Sequence, residues 1–233
     1  MNQIERILKC RFYQFAKQHK NPAINFFYNE RLRRILALIC EMTQNMKSCV
    51  VLDIGCSSGY FSRVLSLKFR TVGFDIRKTC KRRGQKGFKK LNFVVADMEN
   101  MPFRNDTVDV VVCASVLEHC KNLQDLLGKI KDVLKKGGFL IAGYPLETKF
   151  FKSVWKRVSP CSFIFIDQSR TFWVNPYTHQ QECYWENPST HKQDYAEIRK
   201  TITKLFKVDR MQKLPLNNLP DSLTYYECVV ASA

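Results

Sequence analysis

Apolar positions along the chain follow two periods. The run Cys49-Val50-Val51-Leu52 is continuous and β-branched, and reads as a buried parallel strand. It leads into Asp53-Ile54-Gly55-Cys56-Ser57-Ser58-Gly59, a small-residue turn. Tyr60-Phe61-Ser62-Arg63-Val64-Leu65-Ser66-Leu67 then has helical spacing. A strand, a tight glycine turn and a helix make half of a nucleotide-binding βαβ unit. The strand pattern returns over residues 71–76, 91–98, 108–115 and 139–145. Leu123, Leu126, Leu127, Ile130, Val133 and Leu134 share one helical face. Asn122 stands as its N-cap, and Lys135-Lys136-Gly137-Gly138 as its C-terminal stop.

Ahead of this core, Ile4, Ile7 and Leu8, then Phe27, Leu32, Ile35, Leu36 and Ile39, predict two helices broken at Asn21-Pro22. Arg31, Arg33 and Arg34 run beside the second stripe. Behind the core, Tyr195, Ile198, Ile202 and Leu205 predict a helix, followed by strands over 206–211 and 224–230. Residues 146–190 fit no core element. Phe150, Phe151, Val154, Trp155 and Val158 form an aromatic stripe edged by lysines. Trp173, Tyr177, His179, Tyr184 and Trp185 follow in an Asn/Pro-rich stretch.

Charge changes this picture at one place. The chain has 233 residues, 45% hydrophobic, with 38 Lys plus Arg against 21 Asp plus Glu. That length and apolar content suffice for one core. The excess charge is local: residues 60–96 hold 11 basic residues and one acid, Asp75, whereas 97–145 hold 6 basic and 7 acidic. Eight of the basic residues lie in 77–90, which predicts a solvated helix face and keeps an anionic partner in view. Ten cysteines occur without a Cys-x-x-Cys pair, and four histidines are scattered, so free thiols are expected and a metal site is not. Residues 1–20 lack a hydrophobic signal core, and no apolar run is long enough for a bilayer; a cytoplasmic protein is expected.

The glycine turn by itself is a weak signal. Asp53 sharpens it, because a phosphate-binding turn would avoid a carboxylate there, whereas a cationic or amine-bearing ligand would favour one. No Gly-Lys-Ser/Thr follows, which excludes a P-loop. Asp75 ends the second strand about 20 residues after the turn, where nucleotide-binding α/β folds hold a ribose.

With these residues in view, Val51-Leu52-Asp53-Ile54-Gly55-Cys56-Ser57-Ser58-Gly59 resembles motif I of the class I S-adenosylmethionine-dependent methyltransferases, and most closely the type 11 group. Ser57 departs from the third glycine that the family often has. A second block runs from Asp97 to His119. It comprises Asp97-Met98, the link Glu99-Asn100-Met101-Pro102-Phe103, and Val116-Leu117-Glu118-His119, similar to the family's Leu-Glu-His signature. The resemblance is continuous from about Val50 to Pro145.

It implies an α/β fold, a doubly wound, Rossmann-like seven-stranded sheet that is mostly parallel, with the last strand antiparallel. It implies S-adenosyl-L-methionine as cofactor, held by Asp53, Gly55, Cys56, Gly59, Asp75, Ile76, Asp97, Met98 and Ser115. Asp75 would take the ribose, Asp97 the adenine amino group, and Met98 the ring. His119 and His179 are candidate bases, with His191 and Glu118 behind them. The expected organisation is a helical segment at 1–48, a cofactor-binding core at 49–145, a substrate cap at 146–192 and core-completing elements at 193–233, in one domain.

The expected activity is methyl transfer to a small-molecule or lipid-like acceptor. The basic run and the aromatic stripe suggest docking, peripherally, on an anionic membrane surface. An RNA or other nucleic-acid methyltransferase ranks second, because only charge favours it and the fourth strand ends in Ala114-Ser115-Val116-Leu117 rather than an Asn/Asp-Pro-Pro-aromatic turn. A dehydrogenase has no use for Asp53 or the Asp97 block. A non-catalytic binding protein is disfavoured by the intact acids and glycines.

Overall fold

The computed structural model describes residues 22–57, 59–76, 89–146, 164–167, 170–174, 181–185, 192–214, 217, 220 and 226–233. The first of the two expected N-terminal helices, most of the basic run, the stripe at 149–158, His179 and His191 lie outside these residues.

Pro22 opens helix α1 (Pro22–Met42), a position where its missing N–H is no loss. Strand β1 (Val50–Ile54) leads through the turn to helix α2 (Tyr60–Ser66) and strand β2 (Arg70–Asp75). Strand β3 (Leu91–Val95) and a short 3-10 helix (Met98–Asn100) precede strand β4 (Val108–Ala114). A second 3-10 turn (Leu117–His119) joins it to helix α3 (Leu123–Val133) and strand β5 (Leu134–Pro145). Asn122 caps α3 by accepting from the Asp125 N–H at 3.1 Å. The helix stops at Val133, and the Lys-Lys-Gly-Gly run expected to end it belongs to β5, where the pairing with β4 slips between Val108 and Val110.

Within 146–192 lie three strands, β6 (Ile164–Asp167), β7 (Arg170–Val174) and β8 (Gln181–Trp185), which form a separate antiparallel sheet in that order. Sequence pattern gave no strand there, because aromatic residues fall at both odd and even positions and mask the period of two. Helix α4 (Tyr195–Leu205), strand β9 (Lys207–Leu214) and strand β10 (Tyr226–Ser232) complete the chain.

The main sheet has the order β3-β2-β1-β4-β5-β10-β9. Strands β1 to β5 pair in parallel, and β10 runs antiparallel to both β5 and β9. This is the expected doubly wound sheet. Alternation along the strands divides the core. Leu52, Ile54, Val111, Cys113, Leu140 and Ala142 face α3 and α4, whereas Val51, Val110, Val112, Phe139 and Ile141 face α1 and α2. Each fully buried aliphatic side chain contributes about 1.5–3 kcal/mol. Strand order reverses between β1 and β4, and the crevice at their carboxyl ends is where such sheets bind ligands.

Candidate active site

The turn after β1 is stapled to the end of β2. The Gly55 and Cys56 N–H groups both donate to the Phe74 carbonyl, at 2.7 and 3.1 Å, and the Gly59 N–H donates to Cys56 O at 2.8 Å. Among the described residues of the turn, three have left-handed backbone: Gly55 (φ 70), Ser57 (φ 50) and Gly59 (φ 75). At Gly55 a Cβ would lie 2.3 Å from Val116 Cγ2, and at Gly59 one would lie 2.4 Å from the Phe93 ring. Both positions therefore need glycine on conformational and steric grounds. Ser57 has no such freedom, and the left-handed state costs about 1–2 kcal/mol. Its N–H donates to Asp75 Oδ2 at 2.7 Å, which offsets part of that cost.

Asp53, Asp75 and Asp97 stand at neighbouring carboxyl ends of β1, β2 and β3, but in different environments. Asp53 is only 2% exposed and accepts from the Ser62 hydroxyl at 2.6 Å. Burial raises its pKa to about 7, with the Ser62 hydrogen bond opposing and the Asp75 charge assisting. It has no solvent-facing contact, and its hydrogen bond to Ser62 holds the start of α2 against the end of β1. Asp75 is buried, and the next residue, Ile76, is 56% exposed. Asp97 is exposed and caps the following 3-10 helix, accepting from the Glu99 N–H at 2.9 Å. Met98 packs at the margin of the core. Cys56 is buried beneath the turn.

Ser115 begins the loop after β4 in left-handed backbone (φ 57), its N–H donating to Gly143 O at 2.7 Å. Its Oγ accepts from Arg31 Nη1 at 2.8 Å and donates to the Tyr226 hydroxyl at 3.4 Å. His119 ends the 3-10 turn that follows, half-buried, and its N–H donates to Val116 O. Glu118 is buried, and its carbonyl accepts from the Lys192 and Gln193 N–H groups at 2.8 and 3.3 Å, which ties the end of 146–192 to this turn. The structure thus brings Asp53, the glycine turn, Asp75, Ile76, Asp97, Met98, Ser115 and His119 to one edge of the sheet. It adds Ser62, Phe93, Arg31 and Tyr226, which sequence reasoning did not assign to the site. Ser62, three residues after Gly59, was the one with a local signal.

The group implied by the sequence resemblance fits this edge. A nucleoside presents hydroxyl and amine donors and a flat apolar ring. Asp75 and Asp97 supply acceptors, and the exposed Ile76 beside a buried acid supplies an apolar rest with no other evident use. Among the described residues, no group of three or more His, Cys, Asp or Glu could hold a metal ion, six cysteines are buried free thiols, and no helix is long and apolar enough to cross a membrane.

Residues 52–142 match the family described as a methyltransferase domain. An uncharacterized protein of Methanocaldococcus jannaschii is 33% identical over 115 residues, 49% of each chain. The ubiquinone biosynthesis O-methyltransferase of Rickettsia prowazekii is 29% identical over 125 residues, 51% of this chain and 49% of that one. The chain thus spans about half the length of the curated relatives it matches. A solved SAM-dependent methyltransferase of Methanosarcina mazei shares the fold, with TM-score 0.57, 18% identity and coverage of 84% of this chain and 96% of that one.

Proposed function

We propose that this chain, whose residues 52–142 form a methyltransferase domain of the class I type, transfers a methyl group from S-adenosylmethionine to a small-molecule or lipid-like acceptor. One observation carries the cofactor reading. Asp75 is tied to the glycine turn through the Ser57 N–H, and beside it Ile76 is left exposed at the ligand-binding edge.

S-adenosylmethionine supplies, when bound, a methyl group already activated on a sulfonium. The residues of this chain have the remaining tasks. Asp75 accepts from the ribose hydroxyls, Ile76 and Met98 rest against the base, and Asp97 accepts from its amino group. The turn from Gly55 to Gly59 lets the methionine portion approach the backbone, and Cys56 lies under it. Ser115 lines the passage to the acceptor. Alignment of the acceptor atom and exclusion of water account for much of such a rate enhancement. Where the acceptor is a hydroxyl or an ammonium, His119 at the rim of the β4 loop takes the proton. His179 is the second candidate, within the segment 146–192 assigned to the acceptor.

The acceptor class draws on the ubiquinone biosynthesis O-methyltransferase among the relatives and on the aromatic content of 146–192. The aromatic stripe and basic run add docking on an anionic membrane; RNA is the competing acceptor. Calorimetry with S-adenosylmethionine and S-adenosylhomocysteine tests the cofactor, and micromolar binding is expected. Transfer of a labelled methyl group into lipid extracts, small phenols and acids, or RNA then tests the acceptor. Label appearing in RNA alone would overturn the small-molecule reading, and absence of cofactor binding would overturn the whole.

A further inference from the structure

The main sheet has a second edge, at the amino ends of its parallel strands, and over β1, β2 and β3 that edge is cationic. Lys47 stands in the turn before β1, Arg70 opens β2, and Lys89 and Lys90 form the turn before β3; all four are exposed. Register brings them together. The Arg70 N–H donates to Cys49 O at 3.1 Å, and the Thr71 N–H donates to Lys90 O at 2.8 Å. Thr71 pairs with Leu91, so Lys90 lies directly beside Arg70. Neighbouring strands are about 4.8 Å apart, and like charges side by side destabilise a sheet.

Other cations at the sheet have carboxylates. Arg199, on α4, donates from Nε to Oε1 of the fully buried Glu227 at 2.9 Å and from Nη2 to Oε2, and the Tyr144 hydroxyl donates to the same carboxylate. Lys135 holds Asp109 at 2.9 Å, and Arg210 holds Glu41 at 2.7 Å. Among the described residues no carboxylate pairs with Lys47, Arg70, Lys89 or Lys90. The loops that enter these three strands, residues 43–49, 67–69 and 77–90, contain no acid. Asp53, Asp75 and Asp97 lie at the opposite ends of the strands. Asp106 and Asp109, the acids next along this edge, belong to the entry to β4.

The same loops expose apolar side chains. Of the four large hydrophobic residues exposed among the described ones, two stand here, Met46 before Lys47 and Leu67 before Lys68. Lys68 is engaged over the Phe69 ring, and its charge is felt by the thiols of Cys40 and Cys49. The loop before β2 therefore adjoins the end of α1 and the entry to β1. In sequence the third entry repeats the pattern, as Phe88-Lys89-Lys90. A nucleic acid would use the cations and leave Met46 and Leu67 idle, since neither is a ring on which a base stacks. A bilayer with acidic headgroups uses both kinds of side chain. We propose that the entry loops of β1, β2 and β3 form a docking surface for an anionic membrane, with Lys47, Arg70, Lys89 and Lys90 at the headgroups and Met46 and Leu67 at the acyl boundary. This gives the membrane docking named above a definite surface and does not depend on the methyl-transfer reading. Strands of five or six residues, about 17–20 Å, separate this surface from the ligand-binding edge. The docked chain thus turns that edge to the water, which favours an acceptor arriving from solution over one drawn from the same bilayer.

The test floats the full chain with vesicles of phosphatidylcholine alone and of phosphatidylcholine with about one-third phosphatidylserine. The wild type should bind the anionic vesicles at low salt, leave them at high salt and ignore the neutral ones. Each cation near an anionic surface is worth about fivefold in partition, so Arg70→Glu with Lys90→Glu should lower binding about a hundredfold or more. Lys47→Glu with Lys89→Glu makes the same change of charge outside any strand, and replaces the first pair should that one fail to fold. Met46→Asn with Leu67→Asn keeps every charge and should lower binding about tenfold. Absence of wild-type binding to the anionic vesicles overturns the proposal. Binding unchanged in the charge variants also overturns it and assigns docking to other segments. Unchanged binding in the Asn variant overturns the membrane reading, and salt-dependent binding of polyuridylate would then assign the cations to a nucleic acid. Calorimetry with S-adenosylhomocysteine, without vesicles, decides the methyl-transfer reading separately.

Discussion

The two halves of the ligand-binding edge are held together by different means. Over β1, β2 and β3 the backbone does most of the work. Gly55, Cys56 and Ser57 hang from the end of β2 by their N–H groups, and Asp53 reaches only to Ser62, nine residues on. Over β4, β5 and β10 long side chains span the chain instead. Arg31 meets Ser115 across 84 residues, Ser115 meets Tyr226 across 111, and Tyr144 meets Glu227 across 83. A backbone-held site tolerates little change in shape. A side-chain-held site changes its chemistry by single substitutions.

If that contrast is right, the largest effect of a single substitution lies in the side-chain-held half, and it falls on stability. Arg199→Met leaves the Glu227 carboxylate buried without its cation and should cost about 3–5 kcal/mol in urea unfolding. Adding Glu227→Gln should restore most of it, and cofactor affinity of the folded protein should be unchanged. A variant as stable as the wild type would show that the pair is not what fixes α4.

In the backbone-held half the effects fall on binding. Asp75→Asn removes charge-assisted hydrogen bonds and should weaken S-adenosylmethionine binding by about 1.5–3 kcal/mol, with a much smaller change in melting. Wild-type affinity by calorimetry would detach Asp75 from the cofactor.

A subtler effect concerns protons. The Asp53 pKa is about 7 in the folded chain against 3.8 ordinarily, because burial disfavours its charge. Between these values the folded chain holds more protons than the unfolded one, so stability falls as pH rises through that window. Asp53→Asn keeps an acceptor for Ser62 and removes the titration. Its melting temperature should therefore gain on the wild type between pH 5 and pH 8 in ligand-free protein. Parallel curves would mean that Asp53 is already ionised when the chain is folded.

The smallest effect is expected at Ser57. Glycine there relieves about 1–2 kcal/mol of left-handed strain but adds roughly 0.5–1 kcal/mol of chain entropy. Ser57→Gly should thus stabilise slightly, by about 1 kcal/mol or less, with the N–H to Asp75 retained. A clear loss of stability would show that the serine hydroxyl matters more than its backbone.

The same contrast explains what was legible in the sequence. Strands β1, β2, β3, β4 and β5 announce themselves as apolar runs, and Asp53, Asp75 and Asp97 mark where they end, since site and signal lie within a few residues. Arg31 appeared only as a charge beside an apolar stripe, because its partner Ser115 is distant in sequence and joined to it only by tertiary packing. Glu227 lay unremarked within the predicted strand 224–230, and only tertiary packing brings Tyr144 and Arg199 to it. In β7 and β8 adjacent aromatic residues, Phe172-Trp173 and Tyr184-Trp185, hid the alternation. Ser57 was visible as a departure from glycine, but its left-handed backbone was not.

Strand β10 runs against its neighbours, and its alternate residues sort to opposite faces. Tyr226, Cys228 and Val230 lie with α1 and α2, and Val229 and Ala231 with α3 and α4. Glu227 follows the second set and meets Arg199 on α4. A shift of pairing by one residue would exchange the two sets. The carboxylate would then arrive under Arg31 and the phenol under Arg199, and both buried ion contacts would be rewired without any change of composition. The irregularity in pairing with β9 between Val230 and Ala231 guards against this, because it fixes one register. Insertions or deletions of one residue between 226 and 230 should therefore be far more damaging than substitutions there, and those of two residues less so than those of one.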